Sequence, residues 1–170
     1  MVVTLSHSGY IKSQPLSEYR SQKRGGRGKQ ATATREDDWI EQLFIANTHE
    51  YILCFSNRGR LYWLKVWEVP EGSRGSRGRP IVNMFPLVEG EKINVVLPLT
   101  GEASQFPANQ SVFMATSMGT VKKTSLDEFD NPRKGGIIAV NLDEGDYLIG
   151  ASLTDGQHDV MLFKIGRAHV

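Results

Sequence analysis

The sequence predicts an all-β fold made of repeated units, each with about four short strands. Seventeen glycines are spread along the 170 residues and separate short apolar runs, a pattern typical of strands joined by turns. Polar and apolar residues alternate within several runs, which places one face of each strand in a core. The chain also resembles itself at offsets of 50 and 60 residues. Four short strands at this spacing are typical of propeller blades or a similar radial β array.

The repeat is visible in glycines, acidic residues and apolar residues that recur at the same two offsets. The aligned sets are Gly9, Gly59 and Gly119; Leu16, Val66 and Leu126; Glu18, Glu68 and Glu128; and Gly25, Gly75 and Gly135. They divide the chain into approximate units 1–56, 57–116 and 117–164. The second unit has extra residues at 101–110, rich in Gly, Pro, Asn and Gln, which we expect to form an inserted surface loop.

Each unit repeats one order of elements. A strand ends in a glycine turn, a second strand follows with alternating basic and apolar residues, and a short segment of the Leu-x-Glu type comes next. A basic, glycine-rich loop follows. Two β-rich runs close each unit, at 43–47 with 52–55, at 95–99 with 112–115 and at 149–153 with 160–163. Helix signals are weak throughout.

The formal net charge of +1 hides a strong asymmetry. Residues 10–35 contain seven basic residues and one acidic residue, and residues 57–80 contain six basic and two acidic residues. The acidic residues gather elsewhere, for example at 36–38. Clustered bases beside segregated acids indicate a one-sided electrostatic surface for a polyanion.

A basic loop rich in glycine is the strongest functional signal. It consists of Gln22, Lys23, Arg24, Gly25, Gly26, Arg27 and Gly28. Glycines let the backbone approach a surface closely, so that N–H groups can bond phosphate oxygens while the cations neutralise the same phosphates. Such contacts need no particular base sequence. The second and third units repeat the theme, and the candidate contact residues outside the first loop are Lys12, Lys29, Arg58, Arg60, Arg74, Arg77, Arg79, Lys122, Lys123, Arg133 and Lys134.

The first loop resembles the gyrase box of the DNA gyrase A family, which reads glutamine, two arginines, two glycines, lysine and glycine. Lys23 stands where the family has an arginine, and Arg27 stands where it has the lysine. The charges and glycines are kept, although a lysine cannot fork onto two phosphate oxygens as arginine does. The resemblance to the C-terminal domain of this family covers roughly residues 2–163.

The resemblance implies a six-bladed, propeller-like β-pinwheel that wraps duplex DNA without sequence specificity and supports ATP-dependent negative supercoiling. About three of the six four-stranded blades would be present. The implied partners are duplex DNA, the rest of the gyrase A protein and the gyrase B protein, in an A2B2 heterotetramer of the bacterial cytoplasm. ATP and Mg act elsewhere in that enzyme, and so does the cleavage tyrosine. We therefore expect a non-catalytic module that binds no cofactor and no metal itself.

Other classes of site are not supported. Lys29 is followed by Gln30, where a P-loop needs Ser or Thr, and the four histidines are scattered around a single cysteine, so a zinc site is not predicted. Cys54 is expected to be a buried free thiol. Two alternative classes stay open: the C-terminal domain of the topoisomerase IV A protein, which recognises DNA geometry, and a protein-binding propeller.

Two further expectations concern aromatic residues and the last residues. Trp39, Trp63 and Trp67 are expected to wedge between blades rather than to stack on bases. After residue 163 the repeat calls for another glycine turn and strand, but Gly166 comes one position early and no apolar strand follows. We therefore interpret residues 165–170 as a non-native tail. No apolar run approaches the roughly 20 residues that cross a bilayer, so no membrane partner is expected.

Overall fold

The computed structural model describes residues 1–19 and 38–163, and this part of the chain forms three antiparallel sheets. The first sheet has the order β3-β1-β2-β6, the second β10-β5-β4-β7 and the third β11-β8-β9. The strands are β1 Val2–Ser6, β2 Tyr10–Gln14, β3 Ile40–Ile45, β4 Tyr51–Ser56, β5 Arg60–Lys65, β6 Arg79–Pro80, β7 Ile93–Leu99, β8 Ser111–Thr116, β9 Val121–Ser125, β10 Ile137–Ile138 and β11 Leu148–Thr154. The predicted all-β class is confirmed.

In every sheet a tight turn that contains glycine joins the two strands of a hairpin: β1 to β2, β4 to β5 and β8 to β9. Gly9, Gly59 and Gly119 adopt φ values of 82°, 77° and 91°, a region that side chains with a Cβ rarely enter. Each hairpin is followed by a single 3₁₀ turn at the predicted Leu-x-Glu position. These turns are Leu16–Glu18, Val66–Glu68 and Leu126–Phe129.

The sheets are offset from the predicted units 1–56, 57–116 and 117–164. β4 pairs with β5 and β7 and so begins the second sheet, whereas the prediction places residues 52–55 in the first unit. In the same way, β8 pairs with β9 and β11 and belongs to the third sheet. The predicted run 160–163 carries no strand. The predicted boundaries between units are therefore misplaced by about one strand, because the offset at which a sequence repeats does not show which strands pair.

The outermost strand of a sheet comes from the next repeat. β6 follows the basic loop of the second repeat and pairs with β2 of the first sheet, with Ile11 opposite Arg79. β10 follows the basic loop of the third repeat and pairs with β5 of the second sheet, with Leu61 opposite Ile137. Each of these loops is therefore carried by the sheet that precedes its own repeat.

Two apolar clusters hold the sheets together. One is built around Val3, Ile11, Ile52, Tyr62 and Ile81 and joins the first sheet to the second. The other includes Phe55, Leu61, Val112, Met114 and Leu148 and joins the second sheet to the third. Cys54 lies in the first cluster as a free, fully buried thiol, as predicted.

The insertion at 101–110 is more than a surface loop. It contains a 3₁₀ helix at Gly101–Gln105 and buries two residues, Ala103 and Phe106, in the cluster between the second and third sheets. The Phe106 ring meets the Tyr51 ring edge-on, with 5.6 Å between the centroids, and the backbone turns through φ 52° to place it there. The sequence predicted an inserted surface loop, and its turn-rich composition did not show that Ala103 and Phe106 would be buried.

The tryptophans divide into two groups. Trp63 packs against the cluster between the second and third sheets and donates from Nε1 to the Phe129 carbonyl at 2.9 Å, as the wedge prediction requires. Trp39 and Trp67 are 54% and 65% exposed, so they do not wedge between blades. The interpreted tail at 165–170 lies outside the described residues. Within the described ranges, no helix is long and apolar enough to span a bilayer.

Candidate nucleic-acid interface

The first basic loop, Gln22 to Gly28, lies outside the described residues, as does Lys29. Their predicted contacts with a polyanion therefore stay predictions. The second and third loops are described, and they show how this sequence pattern folds at two successive places.

The second basic loop, residues 73–79, is fastened to β2 of the first sheet. Just before the loop, Gly72 N–H donates to the Ser13 carbonyl at 3.1 Å, and at its end Arg79 pairs with Ile11. Within it, Ser76 N–H donates to the Ser73 carbonyl at 3.0 Å and closes a turn. Gly78 lies so close to the Ile11 carbonyl that a Cβ would overlap it. The loop is therefore held at both ends and cannot swing freely.

Lys12 is not a surface cation. Its side chain is 1% exposed, and its ammonium group donates to the carbonyls of Ser73 at 2.9 Å, Arg74 at 3.2 Å and Ser76 at 2.9 Å. The prediction that Lys12 contacts DNA is therefore wrong. Its place in an alternating strand suggested exposure, but the basic loop of the next repeat covers it.

Two of the three arginines of the second loop, Arg74 and Arg77, rest on aromatic rings. The Arg77 guanidinium lies 3.7 Å from the centre of the Tyr10 ring, and its Nε is buried with no hydrogen-bond partner among the described residues. Arg74 lies 5.6 Å from the Tyr19 ring centre, with Nε 3.9 Å from Glu18. Arg79 is exposed. Stacking on a ring fixes the direction of a guanidinium and leaves its N–H groups available.

The third basic loop repeats this arrangement on the second sheet. Gly136 N–H donates to the Arg133 carbonyl at 3.0 Å, and Arg60 donates from its guanidinium to the Gly135 carbonyl at 2.7 Å. Arg133 and Lys134 are exposed. Gly136 lies against Tyr62, where a Cβ would come within 2.7 Å of the ring. Tyr62 occupies the repeat position of Lys12, so the two loops are supported by different side chains at the same place.

The remaining predicted cations lie on strands and turns, and all of them except Arg60 are exposed. Arg58 is exposed and donates to the Glu89 carbonyl at 2.9 Å, while Arg60 is half-buried under the third loop. Lys122 and Lys123 are exposed on β9, and Lys122 donates to the Ala139 carbonyl at 3.0 Å.

An open groove lies between the second and third basic loops. Its volume is about 620 Å³, and Arg79 and Lys134 line it together with Trp63, Glu68 and Phe85. The groove thus brings together two cations from successive loops.

Carboxylates at the strand turns were missed by the sequence reasoning. Asp146 accepts from Ser117 Oγ at 2.7 Å, from Met118 N–H at 3.0 Å and from Tyr147 N–H at 2.8 Å. Asp38 accepts from Ser8 N–H at 2.9 Å and from Trp39 N–H at 3.1 Å, at the matching turn of the first sheet. From the sequence, Asp38 counts only as one of the acids segregated from the bases, and Asp146 was not singled out. An acid followed by an aromatic residue, directly before the closing strand of the first and third sheets, is the signal that could have found them.

Hydrogen bonding outweighs burial at these carboxylates. Burial opposes the charged form of Asp146, but donors from Ser117, Thr116, Met118 and Tyr147 together lower the pKa of this carboxyl. Burial also opposes the charged form of Asp38, but donors from Ser8, Ser6 and Trp39 together lower the pKa of this carboxyl. These groups close turns, and in the described part of the chain no three His, Cys, Asp or Glu side chains cluster as metal ligands would.

A family model described as the DNA gyrase C-terminal domain, a β-propeller, matches residues 1–47, 50–99 and 110–155. Each matched segment contains three strands of one sheet, and the outermost strands β6 and β10 lie in the segment that follows the one containing the rest of their sheet. The gap at 100–109 falls on the predicted insertion.

The relatives and solved structures agree with this match. The DNA gyrase A protein of Klebsiella oxytoca is 58% identical over 164 residues, and that of Escherichia coli K12 is 55% identical over the same length; each alignment covers 96% of this chain and 18% of the relative. A topoisomerase IV C-terminal domain superposes with a TM-score of 0.75 at 28% identity, covering 91% of this chain and 46% of that one. A gyrase A C-terminal domain superposes with a TM-score of 0.61 at 24% identity, covering 90% and 47%, which supports the fold alone. This chain belongs to the family of DNA gyrase C-terminal domains and has their β-propeller type of fold.

Proposed function

We propose that this module binds and bends duplex DNA along the edge formed by its successive basic loops. The observation that carries the proposal is the equivalence of the second and third loops. Each loop follows the 3₁₀ turn of its repeat, donates the outermost strand to the preceding sheet, and is anchored there by a cation under its carbonyls. Because the loops recur once per sheet, the cations recur along one edge at the spacing of the sheets.

The chemistry of these loops fits phosphates rather than base edges. Arginines held on rings, exposed lysines and glycine-rich backbone all offer donors to phosphate oxygens without reading a sequence. Bending a duplex by 40–90° costs on the order of 1–6 kcal/mol, and phosphate contacts along the curved path offset this cost. The loop containing Arg24 and Arg27 would extend the same path by one repeat.

We propose further that the module acts within DNA gyrase, where wrapping of DNA directs strand passage toward negative supercoiling. Cleavage, ATP and Mg belong to other parts of that enzyme in this proposal, and the module contributes no catalytic residue. Its partners would be the rest of the gyrase A protein and the gyrase B protein, in an A2B2 assembly of the bacterial cytoplasm. The 18% share of the relatives that the chain covers agrees with a module of a larger protein.

The second candidate is the DNA-geometry recognition of the topoisomerase IV A protein. The TM-score of 0.75 with a topoisomerase IV domain favours it on shape. The 58% identity to a gyrase A protein over 96% of the chain outweighs that likeness, because the topoisomerase IV domain is only 28% identical.

The test is a measurement of DNA affinity against salt for this chain and for the full-length protein that carries it. If about six phosphates are neutralised, a plot of log affinity against log salt has a slope of roughly −5. Two duplexes of unrelated sequence should bind within a few-fold of each other. A salt-independent affinity, or strong preference for one duplex, would contradict the proposal.

A further inference from the structure

We infer that the second basic loop forms an anion subsite from backbone N–H groups, and that the buried Lys12 is the positioning residue that builds it. The inference rests on the proposed function and deepens it. The ligand class is a phosphodiester or phosphate oxyanion, and the donors are the N–H groups of Arg74, Gly75 and Arg77.

The first step is the match between Lys12 and the loop carbonyls. A lysine ammonium has three hydrogens, and Lys12 Nζ lies within 3.2 Å of three carbonyl oxygens, those of Ser73, Arg74 and Ser76. Gly72, just before the loop, and Gly78, within it, pack against the aliphatic stem of Lys12, where an added Cβ would come within 3.2 Å and 3.1 Å of Lys12 carbons. A side chain from the first repeat thus forms the support of a loop that belongs to the second repeat.

The second step follows from peptide geometry. In a trans peptide the C=O and the next N–H point in opposite directions. The chain has no cis peptide among its described residues. Because the carbonyls of Ser73, Arg74 and Ser76 point toward Lys12, the N–H groups of the following residues point away from it. Those are the N–H groups of Arg74, Gly75 and Arg77.

The third step is that these three N–H groups are free. Within residues 1–19 and 38–163, none of them donates to a backbone or side-chain acceptor. The Arg77 guanidinium stands beside them on the Tyr10 ring. Unpaired backbone N–H groups next to an arginine offer hydrogen-bond donors and positive charge to an anion such as a phosphate.

The positive charge of the Lys12 ammonium also favours an anion at this site. Desolvation by burial lowers the pKa of Lys12, and the nearby Glu18 carboxylate partly opposes this by raising it. The three carbonyls solvate the ammonium, and its charge lies beneath the loop where it adds to the field of the aligned peptides. The third loop has no buried ammonium beneath it, because Tyr62 stands at the position of the lysine. There Arg60 donates to a single carbonyl, that of Gly135, at 2.7 Å.

The first experiment removes the Lys12 ammonium that holds the loop carbonyls. Lys12→Met in the full-length protein keeps the stem and removes the ammonium, and Lys122→Met removes the exposed lysine at the same repeat position. We expect Lys12→Met to lower duplex affinity about 10-fold and to flatten the salt slope by more than one unit, and Lys122→Met to change the slope by no more than one. Equal effects of the two variants would overturn the inference.

The second experiment tests the N–H donor without touching Lys12. Arg74 is the second residue of the turn closed by Ser76, a position that proline favours. Arg74→Ala and Arg74→Pro both remove the guanidinium, but only proline also removes the N–H. Arg74→Pro should bind duplex DNA a further 3- to 10-fold more weakly than Arg74→Ala. Equal affinities of these two variants would show that the N–H makes no contact.

The third measurement separates this inference from the proposed function. In the absence of DNA, the NMR signals of the Arg77 side chain should be shifted by the Tyr10 ring in the parent and in Lys122→Met, and should move toward free-arginine values in Lys12→Met. Unchanged Arg77 signals in Lys12→Met would overturn the positioning role. A parent that binds no duplex would overturn the proposed function and the anion subsite together, whatever the Arg77 signals show.

Discussion

The Arg77 guanidinium lies 3.7 Å from the centre of the Tyr10 ring, and the two residues come from different repeats. The ring belongs to β2 of the first sheet, and the arginine lies just before β6, the strand that the second repeat donates to that sheet. The contact therefore orients a basic loop by means of the sheet on which it rests.

Removing the ring should weaken DNA binding without removing a charge. Tyr10→Leu leaves Arg77 in place but frees its guanidinium, and a cation–π contact of this kind is worth about 0.5–2 kcal/mol. We expect duplex affinity to fall about 2- to 10-fold, as measured by fluorescence anisotropy at low salt. Tyr10→Phe keeps the ring and serves as the control. A Leu variant that binds as tightly as the Phe variant would show that the stacking does not matter.

The first basic loop should be essential for supercoiling and dispensable for strand passage. We expect the triple replacement of Lys23, Arg24 and Arg27 by alanine to abolish ATP-dependent negative supercoiling by the reconstituted gyrase. Relaxation and decatenation should survive, because they do not need a completed wrap. Plasmid assays run side by side measure the three activities. Undiminished supercoiling by the triple variant would exclude the loop as the anchor.

Gly78 should tolerate no side chain. It adopts φ 88°, and a Cβ would overlap the Ile11 carbonyl, so Gly78→Ala must strain the backbone or move the loop off β2. We expect a loss of about 1–3 kcal/mol in the free energy of unfolding, measured by denaturant titration. Gly75→Ala is the matched control, since a Cβ there meets no atom within 4 Å. A similar stability of the two variants would argue against the close approach.

Acid should weaken the fold through its turn-closing carboxylates. Hydrogen bonds lower the pKa values of Asp38 and Asp146 against the opposing effect of burial, and the same holds for Glu50, which accepts from Asn47 and Gly101. A lowered pKa means that the unfolded chain binds more protons, so stability is full above the unfolded pKa values near 4 and falls as the pH drops through the folded ones. Denaturant midpoints between pH 7 and pH 3 measure this.

Asp146→Asn isolates one carboxylate in that experiment. Asparagine cannot become ionised, so the variant should be less stable than the parent at pH 7 and should approach it as the pH falls toward 3. A stability difference that stays constant across this range would show that the charge of Asp146 plays no part.

Much of the fold was visible in the sequence because its turns are local. Gly9 and Gly59 mark hairpins whose tight turns need positive φ, and the residues around Leu16 and Val66 mark the short 3₁₀ turns that follow. The phase of the sheets was not visible, because β4 could equally close one unit or open the next until its partners were known. Pairing between distant strands is a tertiary property that no local pattern encodes.

The basic loops were visible in the sequence for the same reason as the turns, because their signals are local. Loop cations such as Arg74 and Arg133 were identified correctly as residues of basic loops, because composition alone defines such loops. Lys12 was misplaced, since a lysine in an alternating strand looks exposed until a loop from another repeat covers it. The acceptor role of Asp146 was missed because two of its donors, Ser117 and Met118, lie about 30 residues away, in the turn between β8 and β9.

The donated outer strand has a consequence for how such arrays can grow. Because the first and second sheets each take that strand from the following repeat, the boundary of a duplicated gene segment falls inside a sheet and not between two sheets. An unequal crossover that adds one repeat therefore also adds the outer strand that pairs with the sheet before it. The strand pairings between the existing repeats stay as they were. Arrays of different length become reachable in single genetic events, and each added repeat lengthens the basic track by one loop without any new interface having to evolve.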